Sequence, residues 1–159
     1  MRIKGITDED FLNYKDPCLY LCTPFCDFKC ELESKVSCCQ NSSLAKAEIK
    51  TVDDDEIIQR YLANPITKAI CFAGLEPFDS FGDMYDFIEK LRETYHCNDT
   101  VVIYTGCTED EIEWHVDTLR PFGNIIVKFG RFVPGCKKHY DEVLGVNLAS
   151  PNQYAKKIS

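Results

Sequence analysis

Apolar positions along this chain keep two alternating rhythms. Over residues 53–64, "DDDEIIQRYLAN", Ile57, Ile58, Tyr61 and Leu62 fall on one stripe behind an acidic first turn. That is the period of an amphipathic helix, with charge that suits the amino end of its dipole. Asn64-Pro65 ends it, because a residue before proline is driven out of the helical region. The next run, "KAICFAG" at 68–74, is short and continuously apolar and predicts a buried strand. Helical spacing returns in "SFGDMYDFIEKLRETY" (80–95), with Met84, Phe87, Ile88 and Leu91 facing inward. "TVVIYTG" (100–106) reads as a second, β-branched strand. "TEDEIEWHVDTLRPFG" (108–123) pairs Thr108 with Glu111 as a capping box and carries Ile112, His115, Val116 and Leu119 along one side. "NIIVKFG" (124–130) supplies a third strand.

Strand and helix alternating at this spacing predict an α/β fold with a mainly parallel sheet. "PCLYLCTP" adds a strand immediately before a cysteine-rich loop. Open parallel sheets gather their sites at the carboxyl ends of the strands. The loop, "GLEP", "YTG" and "GRF" are therefore expected around one rim. No repeat or linker divides the chain, so residues 1–159 are read as one domain with an expanded cysteine loop at 22–41.

Composition narrows the function. A chain with 45% hydrophobic and 28% charged residues can bury a real core. A formal charge of −8 argues against a nucleic-acid backbone partner. No apolar run approaches the roughly 20 residues of a membrane span. The opening "MRIKGITDEDFLNYKD" has no apolar core or cleavage signal of a secretory leader, which points to the cytoplasm. There, cysteine clusters hold metal more often than they form disulfides.

Of the ten cysteines, Cys18, Cys22, Cys26 and Cys30 stand at intervals of four, followed by Cys38 and Cys39. The spacing suits tetrahedral zinc, an iron–sulfur cluster or partly buried thiols, and does not choose among them. Cys71 and Cys107, on or next to strands, read as core thiols, and Cys97 and Cys136 as loop residues without a catalytic role.

Several motifs in order resemble the radical SAM activating enzymes, closest to the activase of the anaerobic ribonucleoside-triphosphate reductase. "CDFKC" and "CQN", separated by an inserted "ELESKVSC", resemble that family's three-cysteine loop. "FAGLEPF" resembles its Gly-Gly-Glu-Pro turn, "VIYTG" and "FGRF" its later strand ends, and "ASPNQ" its C-terminal signature. The resemblance implies a compact, partial (β/α) barrel-like fold. It implies Cys26, Cys30 and Cys39 as ligands of a 4Fe-4S cluster, with Cys38 for Cys39, or the register Cys18, Cys22 and Cys26, as alternatives. It further implies S-adenosylmethionine (SAM) held by Gly74, Glu76, Tyr104, Ser150 and Asn152. The expected activity is then reductive SAM cleavage, placing a glycyl radical on a partner such as anaerobic ribonucleotide reductase, with electrons from a flavodoxin- or ferredoxin-like donor. "GCKKHYDEVLG" is a candidate partner-contact loop, with His139 in a surface role. Two other classes accommodate the thiols: a non-catalytic iron–sulfur electron-transfer protein, and a zinc-stabilised interaction module.

Overall fold

The chain's most apolar segment lies inside a mixed six-stranded sheet in a computed structural model describing residues 1–159. Two strands come first, β1 (Arg2–Ile3) and β2 (Gly5–Asp10), then β3 (Cys18–Thr23). The cysteine-rich loop carries two short helices, α1 (Lys29–Ser34) and α2 (Ser42–Ala45), and leads through β4 (Lys50–Thr51) to α3 (Asp54–Ala63). Strands and helices then alternate: β5 (Ala69–Gly74), α4 (Phe81–Glu93), β6 (Thr100–Tyr104), α5 (Glu113–Leu119) and β7 (Ile125–Phe129). A hairpin of β8 (His139–Asp141) and β9 (Val146–Leu148) precedes the last strand, β10 (Tyr154–Lys157).

The sheet order is β10-β7-β6-β5-β3-β2, parallel from β3 to β7 and antiparallel at both edges. Parallel strands added in one direction keep every right-handed crossover on the same face. Accordingly α3, α4 and α5 all contribute to one cluster, where Ile57, Ile58, Phe87, Leu91 and Val116 meet Ile70, Phe72 and Val127. The alternation of β5 divides its side chains: Ile70 and Phe72 face the helices, while Ala69, Cys71 and Ala73 face a smaller cluster with Tyr14, Leu144 and Leu148. The β8–β9 hairpin covers that second face.

The α/β architecture agrees with the sequence reading at this coarse level, with differences in detail. The two antiparallel edge strands make the sheet mixed. The segment expected as a polar contact loop forms β8 and a turn, where Asp141 accepts from Val143 N (3.0 Å), Leu144 N (2.9 Å) and Ala155 N (2.8 Å). The helix expected over 108–123 is broken into α5 between two 3-10 turns, although Glu111 does accept from Thr108 N at 2.8 Å. Pro121, lying in the second turn, restricts continuation of the helix. No helix is long and apolar enough to cross a membrane.

Candidate metal-binding site

The carboxyl ends of β3, β5, β6 and β7 open into a cavity of about 330 Å³. Its floor is charged. Glu76, only 7% exposed, accepts from Thr105 Oγ1 at 2.7 Å, Gly106 N at 2.8 Å and Phe78 N at 3.2 Å. Burial raises its pKa, and these three hydrogen bonds pull it back toward the charged form. Lys128, on β7, is buried nearby and donates to the carbonyls of Gly130 (2.8 Å) and Thr105 (3.1 Å). Burial pulls its pKa down to about 8, with the nearby Glu76 opposing the shift.

Gly74 brings the loop against this floor. Its φ of +92° belongs to the region that favours glycine, and a Cβ there would lie 2.8 Å from Leu44 and 3.2 Å from the Cys22 backbone. Its carbonyl accepts from Asn41 Nδ2. Lys4 Nζ anchors the loop farther on, donating to the carbonyls of Ala45 (2.5 Å) and Ala47 (2.8 Å).

Beside the cavity, Cys26 Sγ and carboxylate oxygens of Asp27 and Asp79 all lie within 4.8 Å of one another. Asp79 belongs to the 3-10 turn Pro77–Ser80, and its carboxylate accepts from Asp27 N at 2.9 Å. Glu76 N donates to Phe25 O at 2.7 Å, fastening the same turn to the loop. Cys26 Sγ accepts from Phe28 N at 3.3 Å, a contact made by the left-handed backbone of Phe28 at φ 56°. Burial pushes the Cys26 thiol up to about 12 and also raises Asp79. A nearby cation would oppose both shifts, because it favours the anionic forms.

Cys26, Cys30, Cys39, Gly74, Glu76 and Tyr104 all line the cavity. Ser150 and Asn152 do not. Ser150 is fully buried, accepting from Val133 N (3.2 Å) and donating to Arg131 O (3.4 Å). Asn152 is exposed and donates to Arg131 O at 2.8 Å. Cys38 Sγ lies 3.4 Å from Ser34 Oγ, and Cys18 is buried at the other end of β3 with its thiol 3.6 Å from Asp10. All ten cysteines are free. Sequence reasoning missed Asp27, Asp79 and Lys128; only a foreknowledge of how the loop folds back could have paired the first two.

Residues 19–146 match the family model for a 4Fe-4S single cluster domain. No curated protein and no solved structure matches the chain. The matched family is not a radical SAM catalytic domain, which overturns the resemblance to the radical SAM activating enzymes and to the ribonucleotide reductase activase. The grouped donors are one thiol and two carboxylates, where the expected chemistry required three thiolates. Four-iron clusters are held by cysteine thiolates, so this donor set does not fit one. The 4Fe-4S and SAM cofactor pair, reductive SAM cleavage and the oxidoreductase assignment are corrected accordingly. The glycyl-radical partner and the flavodoxin- or ferredoxin-like donor had been implied only through that chemistry.

Proposed function

The chain belongs to the 4Fe-4S single cluster domain family, and from that premise we propose that it is a non-catalytic metal-binding module with zinc as its ion. The observation that carries this reading is the convergence of Cys26, Asp27 and Asp79 within 4.8 Å. Zinc accepts cysteine sulfur and aspartate oxygen together, usually in a four-coordinate structural site. Calcium and magnesium take oxygen donors, so the Cys26 thiol selects against them. The fourth donor is assigned to the wall of the adjoining cavity, where the thiols of Cys30 and Cys39 are the candidates.

The role that follows is structural. An ion at this corner ties the loop to the turn after β5, and the folded loop then caps the strand ends. A partial (β/α) barrel-like curl of the sheet belongs to the same reading, supported by the one-directional strand order and the one-sided helices. Ten free thiols suit a reducing compartment such as the cytoplasm.

Elemental analysis after exhaustive dialysis tests the proposal. The expected result is about one zinc per chain, lost in Cys26→Ala and in the double variant Asp27→Asn/Asp79→Asn. Iron and acid-labile sulfide retained in equal amounts, with no zinc, would reject it in favour of an iron–sulfur protein.

A further inference from the structure

On the outer side of the helices lies an aromatic cluster that no other part of the chain covers. The Phe81 ring stacks on Phe78 at 6.0 Å, and its centroid lies 4.5 Å from His115, 5.9 Å from Trp114 and 6.0 Å from Tyr85. Tyr85 in turn meets Phe122 at 5.2 Å. Trp114, the chain's single tryptophan, is 68% exposed, and Phe81, Tyr85, His115 and Phe122 are all partly exposed. Single exposed apolar residues are ordinary on a protein surface, but a contiguous group around Phe81 that carries an exposed tryptophan at its edge marks an interaction site.

The charges around the cluster define its partner. Asp86, Glu89 and Glu93 on α4, and Glu113 on α5, are exposed and form no ion pair within the chain. Asp86, Glu89 and Glu93 line a shallow groove with Asp54, Lys90 and Thr94. Tyr85 joins groove and cluster, its hydroxyl donating to Glu89 at 3.3 Å. The neighbouring cations are engaged: Lys90 with Asp55 (3.2 Å), Arg120 with Asp117 (2.9 Å) and Arg2 with Asp83 (2.9 Å). Arg92 is buried among backbone carbonyls. The face therefore offers aromatic rings and free carboxylates, with no free cation.

We propose that this α4–α5 face is a docking surface for a basic segment of a protein partner, whose Arg or Lys side chains stack on Trp114 and pair with Asp86, Glu89 and Glu113. Guanidinium groups suit both halves of such a surface, because they lie flat on indole rings and bond carboxylates in a bidentate manner. A second copy of this chain would bring like charges together at a net −8. Nucleic acid and anionic membranes are repelled in the same way. The inference goes beyond the metal-binding reading and uses none of its ligands.

The test titrates the zinc-loaded full chain with an amphipathic helical peptide bearing Leu and Arg, and with its Glu-for-Arg counterpart, by calorimetry. Trp114 emission gives a second readout in the wild type. Saturable binding of the Arg peptide is expected, weakening with added salt, and at least about tenfold weaker in Trp114→Ala and in Asp86→Asn/Glu89→Gln/Glu113→Gln. These positions are exposed, so circular dichroism should confirm an intact fold. Absence of binding, equal binding of the Glu peptide, or binding insensitive to both variants overturns the proposal. A concentration-dependent dimer, abolished by Trp114→Ala in sedimentation, assigns the face to a second copy instead. Zinc measured in the same samples separates the two ideas: lost docking with zinc retained sinks only this one, and absent zinc with docking retained sinks only the metal-binding reading.

Discussion

Strand β5 and the cysteine loop sit side by side and are held by different physics. Five of the six residues of β5 are buried, hydrogen-bonded to β3 on one side and β6 on the other. The loop, over residues 25–50, contains no buried residue, and neither α1 nor α2 buries a side chain. Its attachments are polar: Asn41 to Gly74, Lys4 to the carbonyls of Ala45 and Ala47, Asp27 to Asp79, and Arg131 to Glu33 at 3.0 Å. Segments with few buried apolar contacts open at low free-energy cost, while core strands open only with the whole domain. The candidate ligands Cys26, Asp27, Cys30 and Cys39 thus belong to the least stable part of the chain, and Asp79 to a turn fixed on its most stable part. An ion bridging the two would stabilise the loop far more than the sheet.

The largest effect should come from the sheet side. Phe87 is fully buried on α4 and meets Phe72 of β5 edge to face at 5.5 Å. Phe87→Ala should cost about 3–5 kcal/mol in denaturant unfolding, from lost transfer energy and an unfilled cavity. If the comparison holds, hydrogen exchange should rise across β5 and β6 as a unit. Acceleration confined to residues 25–50 would reverse the assignment of strong and weak regions.

Removing the metal should act the other way round. A chelator, or Cys26→Ala, should accelerate exchange over residues 25–50 and leave the β5 amides near their original rates. The protection lost in the loop depends on free zinc and would correspond to about 2.7 kcal/mol where zinc had stood at a hundred times its Kd. Equal acceleration in loop and strand would mean that the ion holds the domain as a whole.

Gly74 is where the two regions touch. Gly74→Ala places a Cβ at φ +92° and 2.8 Å from Leu44. The left-handed backbone alone costs about 1–2 kcal/mol, and Leu44 must also move away. The expected signature is faster exchange around α2 with zinc retained at Cys26. A variant as stable as wild type, with α2 unchanged, would show that the close approach carries no weight.

The same division decided what could be read from the sequence. Met84, Phe87, Ile88 and Leu91 keep helical spacing because they bury one stripe, and all four are buried. The apolar run before Gly74 marked β5 for a similar reason. Edge strands β2 and β10 escaped notice because one side of each faces solvent and their patterns are mostly polar. The rim was legible as an arrangement: Cys26, Cys30, Cys39, Gly74, Glu76 and Tyr104 line one cavity. Its chemistry was not. Asp27 and Asp79 lie 52 residues apart and meet only because Asp27 N bonds the Asp79 carboxylate, a contact with no periodic signature. Motif resemblance filled that gap with three thiolates and SAM, and the mixed donor set corrected it.

The smallest expected effect tests whether the loop's outer clasp matters. Arg131 joins Glu33 of α1 to Glu111 before α5, with 2.6 Å to the latter. The hydrogen bonds from Arg131, followed by the Thr108 N–H bond, hold the Glu111 carboxyl down at about 2. A carboxyl depressed in the folded state stabilises the protein above its unfolded pKa, and that stabilisation disappears as pH falls through the folded value. The window here runs from about 4.3 down to about 2. Glu111 is 36% exposed, so solvent screening limits the contribution to about 0.5–1 kcal/mol. Wild type should therefore exceed Glu111→Gln by that amount at pH 6, and the difference in unfolding free energy should shrink steadily below pH 4. Arg131 also holds Glu33, so Arg131→Ala should add faster exchange over α1 to the same stability loss, whereas Glu111→Gln should leave α1 protected. If the two variants exchange alike across α1, the Glu33 contact contributes nothing to closing the loop, and its retention rests on the inner attachments at Asn41, Lys4 and Asp27.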